Sequence, residues 1–220
     1  SYTIQSGDND TNGISIGANA LALNSGTIRD PAGNDATLTH SAVSDNSSVK
    51  VDTTLPTVSS VAITDAAGVQ NSFVNAGDNV SVTATFSEPI FIVDNSSGNP
   101  TLTLAVGSDN RTATYASGGD NSTAIVFRYM IQDNDTDSNG ISIGANVLAL
   151  NNGTIMDRAG NDGILTHSLV DNNSSYKVDT TPPSVDNFTM SDRELKIGDN
   201  ATVTLVFSEA VIAFSNADIT

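Results

Sequence analysis

The chain has 220 residues, with 25 acids against 8 bases and a formal net charge of −17. That balance excludes a nucleic-acid binder, which needs clustered Lys and Arg to displace counterions, and it disfavours direct contact with an anionic membrane surface. Cysteine is absent, so disulfides are excluded, and no apolar run approaches the length of a membrane span.

Low hydrophobicity with high charge can signal disorder, but here the apolar residues fall in regular alternating runs. Helical periodicity is nearly absent. Taken along the middle of the chain, period-2 patterning predicts seven strands, near 57–63, 80–86, 101–106, 112–115, 124–131, 148–156 and 175–178. In the second, Val80, Val82, Ala84 and Phe86 share one face, while Ser81, Thr83 and Thr85 share the other. Ile125, Phe127, Tyr129 and Ile131 make a comparable face in the fifth. Seven short strands separated by Gly/Asn/Asp/Ser turns predict an all-β fold, an antiparallel immunoglobulin-like β-sandwich with Greek-key connections. Without Trp or a Cys pair, the domain is not antibody-like.

The chain also repeats itself. Residues 2–56 and 129–183 run in one register, at an offset of 127 residues (129 minus 2). Asn12-Gly-Ile-Ser-Ile-Gly-Ala-Asn19 recurs as Asn139-Gly-Ile-Ser-Ile-Gly-Ala-Asn146, and Lys50-Val-Asp-Thr-Thr-Leu-Pro56 as Lys177-Val-Asp-Thr-Thr-Pro-Pro183. So long a period means tandem whole domains rather than a solenoid of small units. The expected organisation is the C-terminal half of one repeat at 1–50, a complete repeat at 51–179, and the N-terminal half of another at 180–220. The first half is expected to carry the last two strands of its domain and the third segment the first two. Each exposes an apolar face, to be covered by a neighbouring molecule or by further chain.

Strand parity decides which loops share an end. In a seven-strand Greek key, the turns after the second and sixth strands return to the N-terminal end of the domain. There the incoming linker carries Asp52. The turn after the second strand carries Glu88, in Phe86-Ser-Glu-Pro89, and the turn after the sixth carries Asp157, Asn161 and Asp162. The preceding unit is expected to add Asp8 and Asp10 to this junction. The second junction offers Asp133, Asp135 and Asp137, with Asp179 from the linker and Glu209 in Phe207-Ser-Glu-Ala210. Asp30, Asn34 and Asp35 are the first-repeat equivalents of Asp157, Asn161 and Asp162. Carboxylates so gathered repel and fold stably only if neutralised. An all-oxygen set suits a hard cation with many ligands and tolerant geometry, so calcium is the expected cofactor. With two His and no Cys, zinc and copper are disfavoured. Asp and Asn also favour turns for local reasons. What singles these residues out is the joint recurrence of linker Asp, Ser-Glu and Asp-x-Ala-Gly-Asn. The run from Asp133 is not an EF-hand, because its sixth and twelfth positions hold Ser138 and Gly144.

These motifs resemble the tandem immunoglobulin-like extender repeats of giant repeats-in-toxin adhesins on Gram-negative bacterial surfaces. The matching residues are Val178-Asp-Thr-Thr-Pro-Pro183 at the linker, Phe-Ser-Glu after the second strand, and Asp-x-Ala-Gly-Asn before the seventh. Pro31 and Leu55 replace the commoner Ala and Pro of such motifs, and neither change removes an oxygen ligand. The third unit departs further. Phe86 to Phe207 is an offset of 121, six residues short of the repeat. The resemblance implies a calcium-rigidified, extracellular, cell-surface spacer. Its partners would be neighbouring repeats of the same chain, and other domains would bind the host or surface ligand.

Two other functions compete. A carbohydrate- or protein-binding module would need exposed aromatics, yet the chain has no Trp and most Phe and Tyr fall on inward faces. An enzyme would need nucleophile or phosphate-binding motifs, which are missing. His40 and His167 occupy the same repeat position, in Leu-Thr-His, and read as packing or surface residues.

Overall fold

A computed structural model describes residues 1–93 and 98–215, so the last five residues of the expected 180–220 segment lie outside the described residues. Every described element is a β-strand. The strands are β1 (Val58–Ala67), β2 (Phe73–Val74), β3 (Asn79–Val93), β4 (Thr101–Val106), β5 (Asp109–Gly118) and β6 (Asp120–Met130). They continue with β7 (Thr136–Asp137), β8 (Leu148–Ala149), β9 (Thr154–Met156), β10 (Lys177–Asp179), β11 (Val185–Met190) and β12 (Val203–Phe207).

The large sheet runs β1-β3-β6-β5-β4-β8, with β9 added to β3, and all its pairs are antiparallel. A three-stranded sheet, β2-β10-β7, lies over it. Alternation dictates the packing. Val80, Val82, Ala84 and Phe86 of β3 and Ile125 and Phe127 of β6 are buried, and they meet Val74 and Val178 of the small sheet in one core. This is an all-β sandwich.

The strand expected near 112–115 is longer, Asp109–Gly118, β2 and β7 were not expected, and two strands differ in form. The strand expected over 148–156 is split by a turn at Asn151 and Asn152, both with positive φ (49° and 69°). Its first piece, β8, pairs with β4 and its second, β9, with β3. One segment thus crosses from one side of the large sheet to the other and curls it around the core. Leu148 and Ile155 lie seven residues apart, so one unbroken strand would put them on opposite faces; the turn at Asn151 and Asn152 resets the alternation and both are buried.

The second difference is β3, which does not end at Phe86 but continues to Val93. The register with β6 breaks between Thr85 and Ile90, so Ser87, Glu88 and Pro89 form a bulge within one strand. Pro89 has no N–H to give a ladder, which fits it to an interruption. Glu88 therefore sits in a mid-strand bulge rather than in the turn that parity reasoning assigned to it.

Residues 1–50 keep the local turns of their counterparts but hold only isolated bridges, Asp10 with Val51, Ile16 with Val43 and Arg29 with Asp35, in place of the two strands expected there. At the other end, β11 and β12 reproduce β1 and β3. Val185 faces Phe207 as Val58 faces Phe86, with the same register shift after the first pair.

One glycine of the repeat is sterically obligatory. Gly140 has φ +101°, and a Cβ there would lie 2.0 Å from the Asn173 carbonyl oxygen. Gly140→Ala is therefore expected to destabilise the central unit by at least about 2 kcal/mol, read as a lower urea midpoint. An unchanged midpoint would contradict this close packing.

Candidate metal centre

Three of the acids singled out by the sequence meet. One carboxylate oxygen from each of Asp52, Glu88 and Asp157 lies within 4.8 Å of the others. They come from the linker, from the β3 bulge and from the turn after β9.

Each is positioned by a short-range device. Asp52 Oδ1 accepts the Thr54 amide at 3.0 Å, which fixes the linker, and Asp179 does the same with Thr181 at 3.0 Å. The serine of Phe-Ser-Glu clamps the bulge to the start of β1. Thr57 N donates to Ser87 Oγ at 3.0 Å, and Ser87 N donates to the Thr57 carbonyl at 2.8 Å. Ser208 and Ser184 repeat both bonds, at 2.9 and 2.8 Å. Sequence reasoning passed over this serine, although its recurrence beside Glu88 and Glu209 was the available signal.

Asp157 organises its own turn. Its Oδ1 accepts the Gly160 and Asn161 amides, both at 2.8 Å, and its Oδ2 accepts the Asn161 side-chain amide at 2.7 Å. Asn161 Nδ2 also donates to the Asp52 carbonyl at 3.1 Å, tying turn to linker. Asp30 and Asn34 build the same turn, and the hydrogen bonds from Asn34 hold the Asp30 carboxyl below its ordinary range.

Glu88 is the uncompensated member. Its Oε1 is buried and has no hydrogen-bond partner among the described residues, and the Oε1 of its counterpart Glu209 is in the same state. Burial, and then the charges of Asp52 and Asp157, push its carboxyl above the ordinary range. A buried acceptor facing two like charges is unfavourable unless a proton or a cation joins it. The donor set is oxygen throughout, which fits calcium and offers nothing to a thiophilic metal.

The other acids are placed differently. Asp135 is fully buried and serves the loop that follows β6. Tyr129 Oη donates to its Oδ2 at 2.5 Å, Gln132 N at 2.9 Å, and Arg111 reaches its Oδ1 at 2.6 Å. Asp137 accepts the amides of Gly107 and Gly140, both at 2.8 Å, and of Asn139 at 3.2 Å. In the first repeat, Asp8 accepts from Tyr2 Oη at 3.0 Å and Gln5 N at 2.8 Å, and Asp10 accepts from Gly13 N at 2.8 Å. These four carboxylates hold their own loops, and none joins the acidic group. Asp133 and Asp162 are exposed and are not members of that group, and Asp35 is paired with Arg29 at 2.5 Å. Arg111 and Tyr129 were not anticipated as partners. The repeat position of Arg111 falls only once within these 220 residues, so repetition could not reveal it.

His167 accepts the Val147 amide on Nε2 at 3.0 Å and its Nδ1 lies 2.8 Å from the Ser168 carbonyl. With one nitrogen accepting and the other donating, the ring ties two loop segments together and presents no free nitrogen for chemistry.

Residues 179–220 match the family model of a bacterial Ig-like domain. The match takes in the Asp179 linker, β11 and β12, whose pairing the central unit repeats. No curated protein and no solved structure matches the chain.

Burial raises the Asp135 carboxyl, but the Tyr129 hydroxyl, the Gln132 amide and Arg111 outweigh it and leave the group below its ordinary range. The stability this contributes is present above the unfolded carboxylate pKa and is lost as pH falls through the depressed folded value. Asp135→Asn leaves Arg111 and Tyr129 without their anion and is expected to cost about 3 kcal/mol in urea unfolding at neutral pH. It should also flatten the acid side of the stability profile. A variant with the wild-type acid limb would contradict this assignment.

Proposed function

We propose that this chain belongs to the spacer region of a large bacterial surface adhesin, of the repeats-in-toxin extender type, in which calcium stiffens each junction between Ig-like repeats. The observation that carries the reading is the meeting of Asp52, Glu88 and Asp157 around a buried, unpartnered Glu88 oxygen. One acid belongs to the linker and two to the domain that follows, so a cation held by all three would fix the linker against the domain. Calcium would supply the positive charge that this all-oxygen group lacks.

Supporting features are local. The linker is already restrained by Asn161 to the Asp52 carbonyl, and by Gly7 N donating to Thr53 Oγ1 at 2.9 Å. Thr180 Oγ1 donates to the Asp135 carbonyl at 3.0 Å at the second junction. Pro56 and Pro183 favour an extended approach to each domain. The bacterial Ig-like match over 179–220 fits a surface-exposed or extracellular structural module. Function then lies in length and stiffness rather than in catalysis.

Small-angle scattering on the intact chain tests this. With calcium the particle should be long and rod-like; with excess chelator it should be shorter on average and flexible. Superimposable profiles would sink the proposal.

Glu88→Gln separates the two states of the site. The raised carboxyl of Glu88 imposes a stability deficit that is present above its folded pKa and disappears as pH falls through it. In chelator at neutral pH, Glu88→Gln should therefore raise the melting temperature, while losing most of the increase that calcium gives the wild type. A variant with the full calcium response would exclude Glu88 from the site.

A further inference from the structure

The hydrogen bonds divide the chain sharply where the central unit begins and ends. At its C-terminal side, β10 is held by β2 on one edge and β7 on the other, with Asp179 opposite Thr136. Thr180 Oγ1 still donates to the Asp135 carbonyl at 3.0 Å. The Thr181 amide then turns back to Asp179 Oδ1, and Thr181 and Pro182 are exposed. The hold of the central unit therefore ends at Thr180.

At the N-terminal side that hold begins at Pro56. Pro56 is buried, its carbonyl accepts the Ile164 amide at 2.8 Å, and Thr57 is clamped to Ser87. Just before it, the Thr54 amide turns back to Asp52 Oδ1, and Leu55, 45% exposed, has no hydrogen bond among the described residues. Thr53 is held from the other direction. Its amide donates to Asn9 Oδ1 and its Oγ1 accepts the Gly7 amide, both at 2.9 Å. Thr53 and Thr180 share one repeat position, as do Leu55 and Pro182. Two residues are thus left between consecutive units. Among the described residues one hydrogen bond spans the first pair, from Asn161 Nδ2 to the Asp52 carbonyl at 3.1 Å.

We propose that bending between units is confined to these pairs, Thr54–Leu55 and Thr181–Pro182, and that Leu55 makes the first joint looser than the second. Proline fixes its own φ and pushes Thr181 toward an extended backbone, so Pro182 removes freedom at two positions. Leu55 imposes neither restriction, while the bond from threonine amide to aspartate is the same in both joints, at 3.0 Å. Rigid units alternate with two-residue hinges, and the chain bends first where leucine stands. On the function proposed above, Asp52 lies before the first joint and Glu88 and Asp157 lie after it. Their repulsion then drives the metal-free joint open, and a cation held across it closes it.

Backbone amide relaxation of the full chain in chelator tests the joints themselves. Order parameters should stay at about 0.85 for Thr57 and Thr180 and fall below about 0.6 for Thr54 and Leu55, with Thr181 between these levels. Leu55→Pro should raise Thr54 to the value of Thr181. The substitution is accommodated, because Pro182 stands at the equivalent position with the bond from Thr181 to Asp179 intact. Order lost at Thr57 or Thr180, order kept through Thr54 and Leu55, or a Thr54 value indifferent to Leu55→Pro would overturn the proposal. The same spectra in calcium separate the cation from the hinge. Stiffening of Thr54 and Leu55 adds support for closure by the cation. An unchanged profile sinks the proposed function alone, since the position of the joint is read in chelator.

Discussion

Mutual repulsion of Asp52, Glu88 and Asp157 is the constraint on which the junction depends. At the 4.8 Å limit that encloses them, two unit charges repel by roughly 3–4 kcal/mol at an effective dielectric of 20. The fold does not avoid this arrangement; it enforces it. Ser87 clamps the bulge, Asp157 closes its own turn, and Asn161 draws the linker carbonyl toward that turn. Three separate devices hold three like charges together. On the function proposed above, a cation at this group would relieve the repulsion and fix the linker against the domain.

The acids of this chain divide by what surrounds them. Asp135 and Asp137 are buried, and their oxygens are occupied by amides, a phenol and a guanidinium. They stabilise loops from within and repeat that role as Asp8 and Asp10. Glu88 and Glu209 are the reverse, each with a buried oxygen that has no hydrogen-bond partner among the described residues. The strongly acidic composition therefore does not describe one function. Part of it is internal scaffolding, and part is the group formed by Asp52, Glu88 and Asp157.

Much of the fold was legible because alternation is a direct consequence of burying one face of a strand. β4 was read to the residue, and the faces of β3 and β6 were read correctly. The split of the sixth strand was passed over, although Leu148 and Ile155 are an odd seven residues apart and Asn151-Asn152 between them carries turn chemistry. The bulge at 87–89 was mistaken for a turn because Ser-Glu-Pro carries turn chemistry, while the chain beyond it returns to the sheet. At the site, recurrence singled out Asp52, Glu88 and Asp157, which the structure brings together, and in the same way Asp8, Asp10, Asp135 and Asp137, which accept hydrogen bonds from their loops. A loop that hydrogen-bonds its own carboxylate recurs as faithfully as a ligand does. Only the unpartnered oxygen of Glu88 tells the two cases apart, and that is a property of packing.

The most direct measurement is calorimetric titration of calcium into the metal-free chain, beside Asp52→Asn, Glu88→Gln and Asp135→Asn at matched pH. The account predicts saturable binding that Asp52→Asn and Glu88→Gln each weaken at least tenfold at the Asp52 junction, with Asp135→Asn binding as the wild type does. No binding by the wild type, or equal weakening by all three substitutions, would contradict it.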